Sequence, residues 1–71
     1  MQYTVLIEHT QGSNYGASVP DLPGCIATGA TREEVERLIR EAIELHLEGM
    51  RHDGEPIPEA TTAAIVVDIA A

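Results

Sequence analysis

Between Thr31 and Arg51 the chain carries one amphipathic helical stripe, and that stripe limits what it can build. Val35, Leu38, Ile39, Ala42, Ile43, His46 and Met50 recur at i, i+3, i+4 and i+7, so a helix places them on one side. Glu36, Arg37, Arg40, Glu41, Glu44, Glu48 and Arg51 take the opposite, solvated side. Pairs such as Glu36 with Arg40 and Glu33 with Arg37 are spaced for weak mutual support. Thr31 and Glu34 form a capping box, in which the hydroxyl accepts from the Glu34 amide and the carboxylate reaches back to the Thr31 amide. Glu33 and Glu34 also favour the positive end of the helix dipole. Asp53-Gly54 and the prolines at 56 and 58 stop the helix and begin an extended connection. A single helix can cover only one face of a sheet.

The other segments read as strands. In Gln2 to His9, Tyr3, Val5 and Ile7 share one side and Thr4, Leu6 and Glu8 the other. Gln11-Gly12-Ser13-Asn14 is a turn composition with φ > 0 open to Gly12 and Asn14, and Tyr15 to Val19 then returns antiparallel, with Tyr15, Ala17 and Val19 inward. Pro20 and Pro23 cannot donate to a ladder, so the chain leaves the sheet there. Leu22-Pro23-Gly24-Cys25 fits a type II turn, and Cys25 to Gly29 makes a short third strand. Ala63 to Ile69 reads as a last strand, apolar except for Asp68. The expectation is a single α+β domain over residues 1–71, ordered β-β-β-α-β, with one helix packed on one face.

A chain of 71 residues with one cysteine has no internal disulfide to support so small a core. Self-association is the expected aid. Leu6 on the helix-free face, with Ile65, Val66 and Val67 on the last strand, are the candidate interface residues, because an apolar edge strand demands cover. The alternative is that Glu55 to Thr62 folds back over the edge and keeps the chain monomeric. A lone thiol and the lack of an apolar run or basic leader point to the cytoplasm, without membrane insertion.

Twelve acids face four bases, all arginine, and the net charge is −8. Such a chain repels phosphate backbones, so direct nucleic-acid binding is not expected, and it attracts basic partners. Excess acid can also serve solubility alone. Two-metal nucleases need converging carboxylates about 4 Å apart. Glu8 and Asp68 at two strand ends do not supply them, so no catalysis and no cofactor are expected. His9 and His52 read as solvated, His46 as a half-buried stripe residue, and Cys25 as a small buried apolar group. Leu22, between two prolines, either tucks onto the sheet edge or projects from a rigid binding loop.

Tyr15-Gly16-Ala17-Ser18-Val19-Pro20-Asp21-Leu22-Pro23-Gly24-Cys25 resembles the signature of the HicB antitoxin family. So do Gly29-Ala30-Thr31, Glu34, Ala42-Ile43-Glu44-Leu45-His46-Leu47, Asp53-Gly54 and Ile57-Pro58-Glu59, in order and spacing. Ala30 departs from a frequent Asp, and Ala60 from a frequent second Pro. The resemblance implies a partial ribonuclease-H-like fold and an antitoxin that silences a small basic HicA-type RNA-cleaving toxin. Longer members add a C-terminal DNA-binding domain, which is not expected here. Asp21, Leu22, Pro23, Glu55 and Glu59 are the candidate toxin contacts. The rival reading is a homo-oligomeric structural or regulatory protein with no toxin.

Overall fold

The structure, a computed structural model, describes residues 1–70. It has four elements: β1 (Leu6–His9), β2 (Tyr15–Ser18), β3 (Ile26–Gly29) and α1 (Arg32–His52). The three strands form one antiparallel sheet in the order β1-β2-β3, with Leu6 opposite Ser18 and Ser18 opposite Ile26. The hairpin turn closes through the Ser13 amide on the Thr10 carbonyl at 2.9 Å. Gly12 alone takes the left-handed conformation there, at φ 80°, and Asn14 does not. β1 starts at Leu6 and not at Gln2, because its partner β2 ends at Ser18 and Pro20 leaves the ladder.

α1 lies across one face, against β3 and β2. Its N-terminus is capped by Thr31, whose Oγ1 accepts from the Glu34 amide at 3.1 Å. The reciprocal bond differs from expectation by one residue: Glu34 Oε1 accepts from the Ala30 amide, at 3.4 Å. The C-terminus closes in a Schellman motif. The Glu55 amide donates to the Met50 carbonyl at 2.9 Å and the Gly54 amide to the Arg51 carbonyl at 3.1 Å. Gly54 supplies the required left-handed residue at φ 72°. The ion pairs on the solvated face are Arg32–Glu36 at 3.8 Å and Arg37–Glu41 at 3.5 Å, not the two expected. Glu36 has Arg32 and Arg40, and Arg37 has Glu33 and Glu41, at the same four-residue spacing, and exposed pairs differ by too little to fix which forms.

The core consists of Ala17, Val19, Leu22, Cys25, Val35, Ile39 and Leu47, with Tyr3, Val5, Ile7, Tyr15, Ala27, Ala42, Ile43 and Ile57 packed around it. The inward sets of the first two strands therefore face the helix as the alternation requires. On the helix, Val35, Ile39 and Leu47 are buried while Leu38, His46 and Met50 are only half-buried. The stripe follows i+4 steps from Val35 through Ile39 and Ile43 to Leu47, which the wider pattern omitted. Gly29 sits where β3 meets the helix. A Cβ there would lie 2.9 Å from the Val35 amide nitrogen.

The α+β class stands, but the fourth strand takes another form. Residues 55–70 contain no strand or helix. After Thr62 the chain leaves the body as an extended arm, with Ile65 83%, Val66 97%, Val67 61% and Ile69 80% exposed. A strand forms only by pairing, and among the described residues none pairs with it. The radius of gyration, 14.0 Å, exceeds the roughly 11 Å of a compact domain of this length.

Candidate functional site

Two successive turns build the corner between β2 and β3. The Leu22 amide donates to the Val19 carbonyl at 3.0 Å, and the Cys25 amide to the Leu22 carbonyl at 3.0 Å. Gly24 has φ 84°, which fits the third position of the type II turn read from the sequence. Pro20 and Pro23 fix φ at two positions, and the Val19 amide donates to the Cys25 carbonyl at 3.3 Å across the mouth of the corner. It points Leu22 inward, with no exposed surface, while Pro20, Pro23 and Gly24 stand in solvent. The reading in which Leu22 tucks against the sheet is therefore the one realised. Leu22 has no surface to offer a partner, and Pro23 does.

Asp21 is committed inside the chain. Its Oδ2 accepts from the amides of Thr61 and Thr62 at 3.1 and 3.0 Å. Its Oδ1 accepts from the hydroxyls of the same threonines at 3.0 and 2.8 Å. These bonds, led by those from Thr62, hold its carboxyl below its usual pKa. The Thr4 hydroxyl donates to the Thr62 carbonyl at 2.7 Å and the Tyr3 hydroxyl to the Pro58 carbonyl at 2.5 Å. Together they tie the returning segment, residues 57–62, to the corner and to the entrance of β1. Asp21 and the Pro58-Glu59 stretch thus belong to one surface. Glu55 and Glu59 are exposed on the same connection. No local pattern foretold this clamp, since its partners stand 40 residues apart in sequence. The adjacent Thr61-Thr62 pair was its only trace.

Charge is unevenly spread. All four arginines lie on α1, beside six glutamates. The other six acids, Glu8, Asp21, Asp53, Glu55, Glu59 and Asp68, belong to stretches with no Lys or Arg at all. The connection from Asp53 to Glu59 and the corner it is tied to are therefore purely negative.

The nucleophile and ligand candidates take quieter places. Cys25 is buried, and burial pushes its thiol pKa up. His9 stacks flat on Tyr15, with ring centroids 3.9 Å apart, and its Nε2 lies 3.2 Å from the Ser13 carbonyl. His46 is half-buried on the stripe, and His52 is exposed beside Asp53 at 3.5 Å. Among the described residues, no three His, Cys, Asp or Glu side chains gather as a metal site. Among the described residues, no helix is long and apolar enough to cross a membrane.

Comparison with known proteins gives this geometry a context. Residues 3–69 match the family model described as HicB_like antitoxin of bacterial toxin-antitoxin system. A UPF0150 protein of Thermoplasma acidophilum, Ta0767, is 37% identical over 67 residues, covering 94% of this chain and 97% of that protein. A UPF0150 protein of Synechocystis sp., ssr1765, is 42% identical over 57 residues, covering 80% and 72%. An uncharacterized 14.9 kDa protein in the rep-hol intergenic region of Haemophilus phage HP1 is 42% identical over 60 residues. There the match covers 84% of this chain but 44% of the longer phage protein.

Proposed function

Because the chain belongs to the HicB-like antitoxin family, we propose that it binds and neutralises a small basic HicA-type RNA-cleaving toxin in the cytoplasm. The observation that carries this reading is the charge map. Every ionised side chain outside α1, the histidines aside, is an acid, and Asp53, Glu55 and Glu59 lie on a connection whose far end, Thr61 and Thr62, is bound by Asp21. A negative surface speeds encounter with a cation-rich partner. An RNA-cleaving toxin needs a cationic face for its substrate, so an acidic surface that covers it competes directly with RNA. Pro23 stands exposed at the neighbouring corner as an apolar contact, and Asp21 acts by holding that surface in place. The chain itself does no chemistry, takes no cofactor and makes no direct contact with nucleic acid.

The test is a titration of the purified chain into such a toxin, followed by calorimetry at several salt concentrations. Tight binding that weakens as salt rises, and weakens further in Glu55→Lys and Glu59→Lys, supports the reading. An absence of binding at low salt refutes it.

The exposed arm favours a second element of the same account. The protein works as a homo-oligomer, with or without a toxin, and its mass in solution is a multiple of 7.6 kDa.

A further inference from the structure

Two surfaces of this chain stand open to solvent, one a groove and the other an apolar arm. The first is an open groove between β1 and α1. β1 is an edge strand, paired on one side only with β2. Val5 and Ile7 on the strand side and Ile43 on the helix side are the groove's half-buried apolar lining, and Arg32, Glu36, Arg37, Arg40 and Glu44 of the helix also border it. The second is the arm of residues 63–70, which carries four large apolar side chains in solvent.

We propose that residues 63–69 of one copy lie as a fourth strand along the free β1 edge of a second copy, filling its β1–α1 groove, and that the exchange is reciprocal. This inference rests on the homo-oligomer element of the proposed function and does not depend on the toxin.

The area agrees. The chain exposes 5538 Å², against the roughly 4,300 Å² of a folded monomer of its mass. The surplus, about 1,200 Å² per copy, doubles to the size of an obligate homodimer interface. The side-chain alternation agrees too. Ile65, Val67 and Ile69 share one face of an extended arm, and Val66 and Asp68 the other. With the first set in the groove, three large apolar groups pack beside the half-buried Val5, Ile7 and Ile43, and Asp68 stays in water. The opposite placement would bury Asp68, so one register is strongly preferred. In that register Val66 lies on the helix-free face beside Leu6, the exposed apolar residue of β1. The hinge is already set. Asp21 and Thr4 fix Thr61 and Thr62 at the body, and the arm departs from the next residue. Exchange also hides the edge of β1, which would otherwise invite uncontrolled pairing.

The experiment uses the full chain carrying Leu6→Cys and Val66→Cys, with circular dichroism confirming the fold. Cys25 is buried and does not compete. Equal amounts of ¹⁵N-labelled and unlabelled chains are unfolded, mixed, refolded and oxidised, and the cross-linked peptides are weighed. The exchange predicts a Leu6→Cys to Val66→Cys disulfide between differently labelled chains. It also predicts that Val67→Lys weakens the dimer by about thirtyfold or more, as a central interface residue does. Val66→Lys, whose ammonium reaches water on the helix-free face, weakens it only a few-fold. A cross-link confined to single chains overturns the exchange in favour of an arm folded back on its own groove. Val66→Cys cross-linking to itself overturns it in favour of arm-to-arm pairing. A dimer without either cross-link overturns the exchange while leaving self-association intact. A constant monomer mass at every concentration overturns both.

Discussion

Leu22→Ala is expected to unfold the corner without touching a binding surface, which separates its structural role from the contact role its position between two prolines suggests. The side chain has no exposed surface. Truncation removes three carbons, worth about 2.4 kcal/mol at roughly 0.8 kcal/mol each. A cavity term adds to this, because three backbone hydrogen bonds and two prolines hold the walls and prevent collapse. The total is about 3–4 kcal/mol, in the middle of the range for buried Leu truncations. A chain of this length holds only about 4–10 kcal/mol in all. Urea unfolding followed by circular dichroism, at one fixed protein concentration, reads the change. With a slope near 1 kcal/mol per molar, the midpoint falls by about 3 M. A loss under about 1 kcal/mol with an unchanged slope would refute the reasoning, since deletion of a fully enclosed Leu costs more than that.

Gly29→Ala places a Cβ 2.9 Å from the Val35 amide nitrogen, a backbone atom that cannot rotate away. The expected cost is about 1–3 kcal/mol by the same assay, and a neutral result would mean the strand and helix are not so close. Asp21→Asn weakens the grip on Thr61 and Thr62 and changes the pH profile. The folded carboxyl lies below its ordinary 3.8, so its contribution is fully present above that value and disappears as pH falls through the lower folded value. Wild type and variant therefore differ by a constant amount from neutral pH down to the ordinary value and converge in stronger acid. A difference that persists there contradicts the clamp. With −8 net charge, the isolated chain is expected not to bind duplex DNA at physiological salt. A complex of micromolar affinity or tighter in a fluorescence titration would contradict the charge argument.

Local chemistry made most of the fold legible. The capping box at Thr31, the helix stop at Asp53-Gly54 and the type II turn at Gly24 each depend on a few adjacent residues, and each stands within one residue of its expected place. The inward alternation of Tyr3, Val5 and Ile7 also reads directly, because one face of the sheet is buried. What depended on distant partners did not. The last strand has the composition of a strand, yet composition cannot say whether the partner edge lies in the same copy. Asp21 looked like an exposed acid on a loop, and only the return of Thr61 and Thr62 shows where its four bonds go. Leu22 remained open between two readings until the corner's direction was known. The candidate contacts therefore divide: Pro23, Glu55 and Glu59 keep an accessible surface, Leu22 belongs to the core, and Asp21 is bonded to Thr61 and Thr62.

The most direct test of the antitoxin account is an RNA-cleavage assay with a small basic HicA-type toxin. The purified chain is added in increasing amounts to toxin and labelled RNA, with the chain alone as a control. The account predicts intact RNA in the control and loss of toxin cleavage at a fixed molar ratio. It also predicts that reversing Glu55 and Glu59 to lysine restores cleavage while the variant still folds. Undiminished cleavage with the chain in large molar excess at low salt, or RNA degraded by the chain alone, would contradict it.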